Sequence, residues 1–493
     1  MESDPILNHP LVVAMHAALQ AQCAAAVAEN AALRADNAAL RLEMSKLRET
    51  MEGLTKVMEA LQGRLAKDSH NSHKPPGSDG PQTPPGPPAP PTGRTRGGQL
   101  GRTGKGRKLL PEGSEKRTVE VPLTTCPHCA CAVPPSAISG SVTHRVLDLV
   151  RELTEVVAFR LEEGCCPHCH KDIQANLPPE AGVGGLGPRL RGVGAYLRTH
   201  GRMSIGPLHY FFREVLKAEV SRGWLYESGV RVSDDVAATW EGLGKDVACA
   251  PVVNMDETGF GHKKRDWIWV ALTARTAFFH FSTTRGFDAL KAILPENYSG
   301  VLCTDRYSTY KMLKLAVRQF CWAHLRRELI ALSEARDATV ARIGKQMLED
   351  QERIFDLWHQ YRGQDLDRSA LCQQTSIIRA RMKHNLRLAS RTEHKAARTL
   401  GKSLIKNWDK LWTFLRIDGV EPTNNSAERA LRPLVILKRI FQRLPSDRGK
   451  KFFERLFSIG ATARIRGVPY FDWLIKALHA AHQGMPLPEL EPA

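Results

Sequence analysis

The chain has 493 residues, 42% of them apolar, enough for about three domains with cores of their own, which excludes a disordered or fibrous protein. Lysine and arginine outnumber aspartate and glutamate by 70 to 52, and the resulting net charge of +18 gathers polyanions, so nucleic acid is the expected partner. No run reaches the roughly 18 uninterrupted apolar residues of a spanning helix, and Glu2 and Asp4 stand where a secretory signal carries basic residues, so a cytoplasmic, nucleoid-associated protein is expected and no membrane partner.

Residues 11–68 carry leucine or alanine every seventh position from Leu19 through Ala26, Leu33, Leu40, Leu47 and Leu54 to Leu61, the seam of a coiled coil. Three residues before these positions stand Asn30, Asn37, Met44, Met51 and Met58, and paired asparagines in such a seam favour one register and a low oligomer number. The expectation is a parallel homodimer, or a higher oligomer built on it.

Residues 69–118 are a linker, dominated by proline and glycine over 75–91 and then basic without any acid from Gly93 to Lys108, a composition suited to following a phosphate backbone. Over 119–178, Cys126-Pro127-His128-Cys129 and Cys166-Pro167-His168-Cys169 form two CxxC knuckles flanking residues that alternate like strands, among them Val146, Val150, Leu153 and Val156. Four thiolates suit one closed tetrahedral Zn²⁺ site, which implies a structural or DNA-docking ribbon; Cys131 and Cys165 are alternative thiols. Eleven cysteines arranged this way point to metal in a reducing compartment, not to disulfides.

Residues 179–245 read as helices, a DNA-binding or lead-in region with a possible helix pair on either side of Ser221. From 246 to 465 the pattern turns to three β-rich runs (APVVNMDETGF, DWIWVALTA, TAFFHFSTT), a helix over Phe287–Leu294, a strand GVLCTDR, a helix STYKMLKLA and a strand VRQFCWAH. This β-β-β-α-β-α-β order is that of a ribonuclease-H-like core, in which the first strand lies beside the fourth and brings Asp256 and Asp305 together. Residues 326–418 read as a helical insertion and 466–493 as a helical tail, making the whole a multidomain α/β chain. Cys303 and Cys321 read as buried thiols, not ligands.

The segments NSHKPPGSD, GGQLGRTGKG, NMDETGF, VLCTDRYSTY, CWAHLRRE and GVEPTNNSAERALRPL, together with the heptads and knuckles, resemble the transposases of insertion-sequence family 66. The resemblance implies a DDE transposase with Asp256, Asp305 and Glu428 as catalytic acids, and places His324, Arg326, Arg327, Asn424, Asn425 and Arg429 near them. Carboxylates suit two Mg²⁺ or Mn²⁺ ions, hard cations that serve in-line displacement at phosphorus. The resemblance further implies strand transfer, DNA ends and target as substrates, and small accessory proteins of the same element as partners.

Taken singly, each acid has a plainer reading. Asp256 could open a turn, Asp305 could cap a helix, and Glu428 could close a capping box with Asn425. Glu257, Glu421 and Glu454 are the acids to consider if Glu428 fails. A catalytically inactive zinc-ribbon and zipper regulator, or a nuclease without strand transfer, are the competing functions.

Overall fold

The structure, a computed structural model, describes residues 10–65, 118–119, 121–141, 153–176, 178, 181, 185–260, 266–441 and 446–492. The linker up to residue 117 and the stretch 142–152 between the knuckles, with Val146 and Val150, lie outside the described residues.

Helix α1 runs Pro10–Leu65 without a break, as 56 residues free of proline after the first would allow. Its seam residues Leu19, Leu33, Leu40, Leu47 and Leu54 are exposed, and nothing among the described residues covers them. The Asn30 and Asn37 amides donate to the carbonyls of Ala26 and Leu33 within the helix. By length and composition Pro10–Thr55 also passes as a membrane span, the one such helix among the described residues.

The two knuckles fold alike. In each, the backbone amide and carbonyl of the first cysteine close a hairpin turn (Cys126 N to Cys131 O and Ala130 N to Cys126 O; Cys166 N to Lys171 O and His170 N to Cys166 O, all 2.9 Å). The residue after the second cysteine takes a left-handed conformation, Ala130 at φ 58° and His170 at φ 52°. The second turn joins β1 (Glu163–Cys165) to β2 (Asp172–Gln174). The alternating run at Leu153–Val157 is not a strand as expected: it finds no pairing partner among the described residues and Val156 is fully exposed.

Four helices follow: α2 (Pro188–Thr199), α3 (Ile205–Glu214), α4 (Arg222–Asp235) and α5 (Ala237–Ala248). They lead into a five-stranded sheet of β3 (Val252–Phe260), β4 (Asp266–Leu272), β5 (Ala277–Ser282), β6 (Val301–Thr304) and β7 (Val317–Phe320), ordered β5-β4-β3-β6-β7. The first three strands are an antiparallel meander, and β6 and β7 add in parallel on the other side of β3, so the first strand does lie beside the fourth. Short α6 (Phe287–Lys291) precedes β6. The expected helix over STYKMLKLA is instead one 3-10 turn, Ser308–Met312: Asp305 fastens the Tyr307 amide at 2.8 Å, Tyr310 is drawn fully inside, and Leu313 leaves helical geometry at ψ 85°.

Between β7 and the late helices stands a bundle of α7 (Trp322–Ser333), α8 (Ala338–Arg362), α9 (Arg368–Arg391), α10 (Lys395–Lys406) and α11 (Thr413–Arg416). Asp337 and Asp367 accept first-turn amides and so start α8 and α9. A β-carbon on Gly401 would come within 2.7 Å of the Leu386 carbonyl, so glycine is what lets α10 lie against α9. The bundle has its own core of Trp322, Trp358, Trp412, Phe414, Ile354 and Leu386, continuous with Val301 and Cys303 of the sheet.

A second core joins the sheet to α12 (Asn425–Phe441), α13 (Asp447–Arg466) and α14 (Tyr470–His482) and includes Met255, Trp269, Phe279, Leu434, Phe453 and Trp473. Helix α13 lies along the edge strand β5. Glu454, Ser458 and Thr462, one helical turn apart, accept from the amides of Phe281, Phe279 and Ala277, the last two at 2.9 and 3.0 Å. Four residues of helix rise about 6 Å and two of strand about 6.8 Å, so the repeats match and the sheet edge is closed by side chains.

Candidate functional site

The parallel half of the sheet ends in a row of polar residues. Across β3 and β6, Val252 faces Val301 and Asn254 faces Cys303; carrying the register two residues further sets Asp305 beside Asp256 on one face. The same register continues into β7, where the Cys321 amide bonds to the Thr304 carbonyl at 2.9 Å. Asp256 sits within β3, opposite Val270 of β4, and therefore opens no turn. Asp305 does make the local bond its alternative reading foresaw, accepting from the Tyr307 amide.

Asn424 brings the third acid to this row. Fully buried, it donates its side-chain amide to the Met255 carbonyl at 2.6 Å, and its backbone amide to the Cys321 sulfur at 3.1 Å. Its own carbonyl accepts from the Glu428 amide at 3.2 Å, so Asn424, not Asn425, is the residue that caps α12. The capping box between Asn425 and Glu428 therefore does not form, and the Glu428 carboxylate turns to α7 instead. Oε1 lies 3.6 Å from His324 Nδ1 and Oε2 3.9 Å from Arg327 Nη2.

Burial first, then the charges of Glu257, Glu428 and Asp305, push the Asp256 carboxyl well above the usual carboxylate range. Asp256 thus feels the charge of three other acids. Glu257, next in β3, points to the opposite face, where Arg285 donates to Oε1 at 2.9 and 2.7 Å and Tyr310 to Oε2. Arg285 is itself stacked 3.9 Å over the Tyr307 ring. Of the other reserve acids, Glu421 pairs with Arg362 at the surface and Glu454 closes the sheet edge.

The remaining expected residues divide. His324 and Arg327 reach Glu428, whereas Arg326 points to Glu352 of α8 at 3.3 Å. Arg429 is exposed beyond Glu428, and Asn425 is half-buried in the first turn. Several late basic residues are held internally: Lys438 by the Gly259 carbonyl, Arg448 by Glu227 and Lys450 by Asp266. Sequence reasoning missed Arg318, Arg285 and Tyr310. Arg318 is buried on β7 and donates to Thr304 and to the Asp305 carbonyl, and burial lowers its pKa to about 10.

The donor set suits a hard cation. Asp256, Asp305 and Glu428 offer carboxylate oxygens, and the buried Glu428 Oε1 and Asn254 Oδ1 accept no hydrogen bond, which leaves both open to a positive charge. In the two knuckle turns Cys129 and Cys166 are shifted below the ordinary thiol range by hydrogen bonds within their own turns. Among the described residues, the group of three or more possible ligands within reach of one ion is Cys321, His324 and Glu428; neither the four knuckle cysteines nor Asp256, Asp305 and Glu428 form such a group.

The family model described as Transposase IS66 family matches residues 199–451, from the end of α2 into α13 and across the whole carboxylate row. The chain belongs to the IS66 transposase family. A second model, a family of unknown function (DUF6444), matches residues 20–108 of this IS66 family member, its heptads and linker. Among curated relatives, the uncharacterized protein y4qI of Sinorhizobium fredii is 26% identical over 307 residues, 53% of this chain and 56% of its own. The uncharacterized protein y4hP of the same organism is 24% identical over 201 residues, 37% of this chain and 36% of its own. The chain thus spans about half or less of the length of these relatives.

Proposed function

We propose that this IS66 family member is a DDE transposase with a ribonuclease-H-like core, which cuts the DNA ends of its element and joins them to target DNA. The observation that supports this most is the tether at Asn424, which holds the first turn of α12 against β3, near enough for the charges of Glu428 and Asp305 to act on Asp256. Asp256, Asp305 and Glu428 would hold two Mg²⁺ or Mn²⁺ ions. When bound, such ions activate an attacking oxygen and stabilise a leaving one at phosphorus. Asp256 would release to solvent, as a cation binds, the proton that burial and its neighbours favour, and His324 and Arg327 orient Glu428. Water adds to the phosphorus as the 3′-oxygen leaves; the freed 3′-hydroxyl then attacks a target phosphodiester in a second displacement of the same kind.

The other parts serve docking. The α1 seam pairs two copies, the knuckles bind one Zn²⁺ through Cys126, Cys129, Cys166 and Cys169, and basic residues of the linker and bundle neutralise phosphates. Small accessory proteins of the element complete the assembly, which works on the nucleoid in the cytoplasm. The test is cleavage of end-containing DNA with Mg²⁺, by wild type and by Glu428→Ala. The variant is expected to bind ends and not to cut; cutting at the wild-type rate would remove Glu428 from the mechanism.

A further inference from the structure

The displacement has no use for a thiol, yet Cys321 stands at the end of the carboxylate row. It occupies the N-terminal boundary of α7, with His324 three residues on in the first turn and Glu428 in the first turn of α12. The three donor atoms all lie within 4.8 Å of one another, and His324 Nδ1 is 3.6 Å from Glu428 Oε1. An ion with bonds of about 2.0–2.3 Å holds tetrahedral neighbours roughly 3.3–3.7 Å apart. The histidine–glutamate edge is already at that length, and the sulfur has at most about an ångström to travel.

The frame is stiff. The Trp322 amide bonds to the Pro422 carbonyl at 3.0 Å and the Asn424 amide to the Cys321 sulfur at 3.1 Å, so the starts of α7 and α12 are fastened together at the cluster. An amide donated to sulfur is also the outer contact that favours a metal-bound thiolate. Glu428 Oε1 accepts no hydrogen bond, while Arg327 lies on the side of the other oxygen.

We propose that Cys321, His324 and Glu428 form a binding site for a borderline-soft divalent ion of the zinc class, distinct in chemistry from the all-oxygen set and sharing Glu428 with it. Sulfur and imidazole select zinc or cobalt over magnesium, and three protein ligands leave a fourth position open. The two kinds of ion compete for one carboxylate. The site itself depends only on the cluster, not on the transposition chemistry.

The test uses the full chain with Cys126, Cys129, Cys166 and Cys169 changed to serine, exposed or half-exposed positions whose loss disturbs no core. This protein is stripped with chelator and titrated with Co²⁺, reading the sulfur-to-cobalt charge-transfer band and the thermal melt. One equivalent of Co²⁺ with that band is expected. Cys321→Ser should abolish the band and His324→Gln should weaken binding more than about tenfold. Absence of the band in the parent overturns the proposal, as does its unchanged presence in either variant that melts like the parent. Should Cys321→Ser fail to fold, His324→Gln decides alone.

Discussion

Replacing Asn424 by alanine separates the placement of Glu428 from the stability of the fold. The change removes a side-chain donor 2.6 Å from the Met255 carbonyl at a fully buried position. Leaving that acceptor bare costs about 1–3 kcal/mol, which for a domain of this size lowers Tm by roughly 3–10 °C. With a starting stability of about 10 kcal/mol, nearly every molecule remains folded at 25 °C. Stability alone therefore predicts almost no loss of activity. Misplacing a reacting group by about 1 Å, however, costs on the order of 100-fold. The expected result is a modestly lower melt with Mg²⁺-dependent cleavage reduced about 100-fold per folded molecule and end binding retained. A variant that melts lower but cuts at the wild-type rate would falsify the claim that this tether positions Glu428.

Glu454→Ala should lose about 1–3 kcal/mol, because the buried Phe281 amide is left without its acceptor, whereas Glu454→Gln keeps an oxygen and most of the stability. Both should cut in proportion to folded protein; loss of cutting without a lower melt would make Glu454 functional. Since the folded pKa of Asp256 is raised, its protonated form is favoured: that contribution is present at acid pH and is lost as pH rises through the folded value. Without metal, Asp256→Asn should accordingly melt higher than wild type at neutral pH, and Mg²⁺ should raise the melt of wild type only; equal melts at every pH would contradict this. Full-length protein should sediment as a dimer at micromolar concentration and Leu33→Lys with Leu40→Lys as a monomer, and a monomeric wild type would remove the coiled coil. Metal analysis should find zinc reduced by one equivalent in Cys129→Ser, and an unchanged zinc content would exclude the knuckle site.

Periodicity and local composition made α1, the knuckle turns, the three-stranded meander and the later strands legible, because each rests on contacts within a few residues. The heptad leucines, the paired CPHC turns and the β-branched run at Val252 are signals of that kind. The short 3-10 turn at Ser308 was misread as a helix, since what ends it is a tertiary event, the burial of Tyr310 against Glu257. Of the acids, the chain order of NMDETGF, TDRYSTY and NNSAER marked Asp256, Asp305 and Glu428, yet each had an equally good local explanation. The tertiary structure removes two of these explanations and keeps the third: β-pairing takes Asp256 out of a turn and the Asn424 bond to Met255 withdraws Glu428 from a capping box, while Asp305 keeps its local bond to the Tyr307 amide. Likewise, nothing in the sequence distinguished Glu454 from a site residue until α13 lay along β5. A linear pattern records what a residue can do with its neighbours; which partner it meets from 169 residues away is decided by packing and by the need to satisfy every buried donor and acceptor.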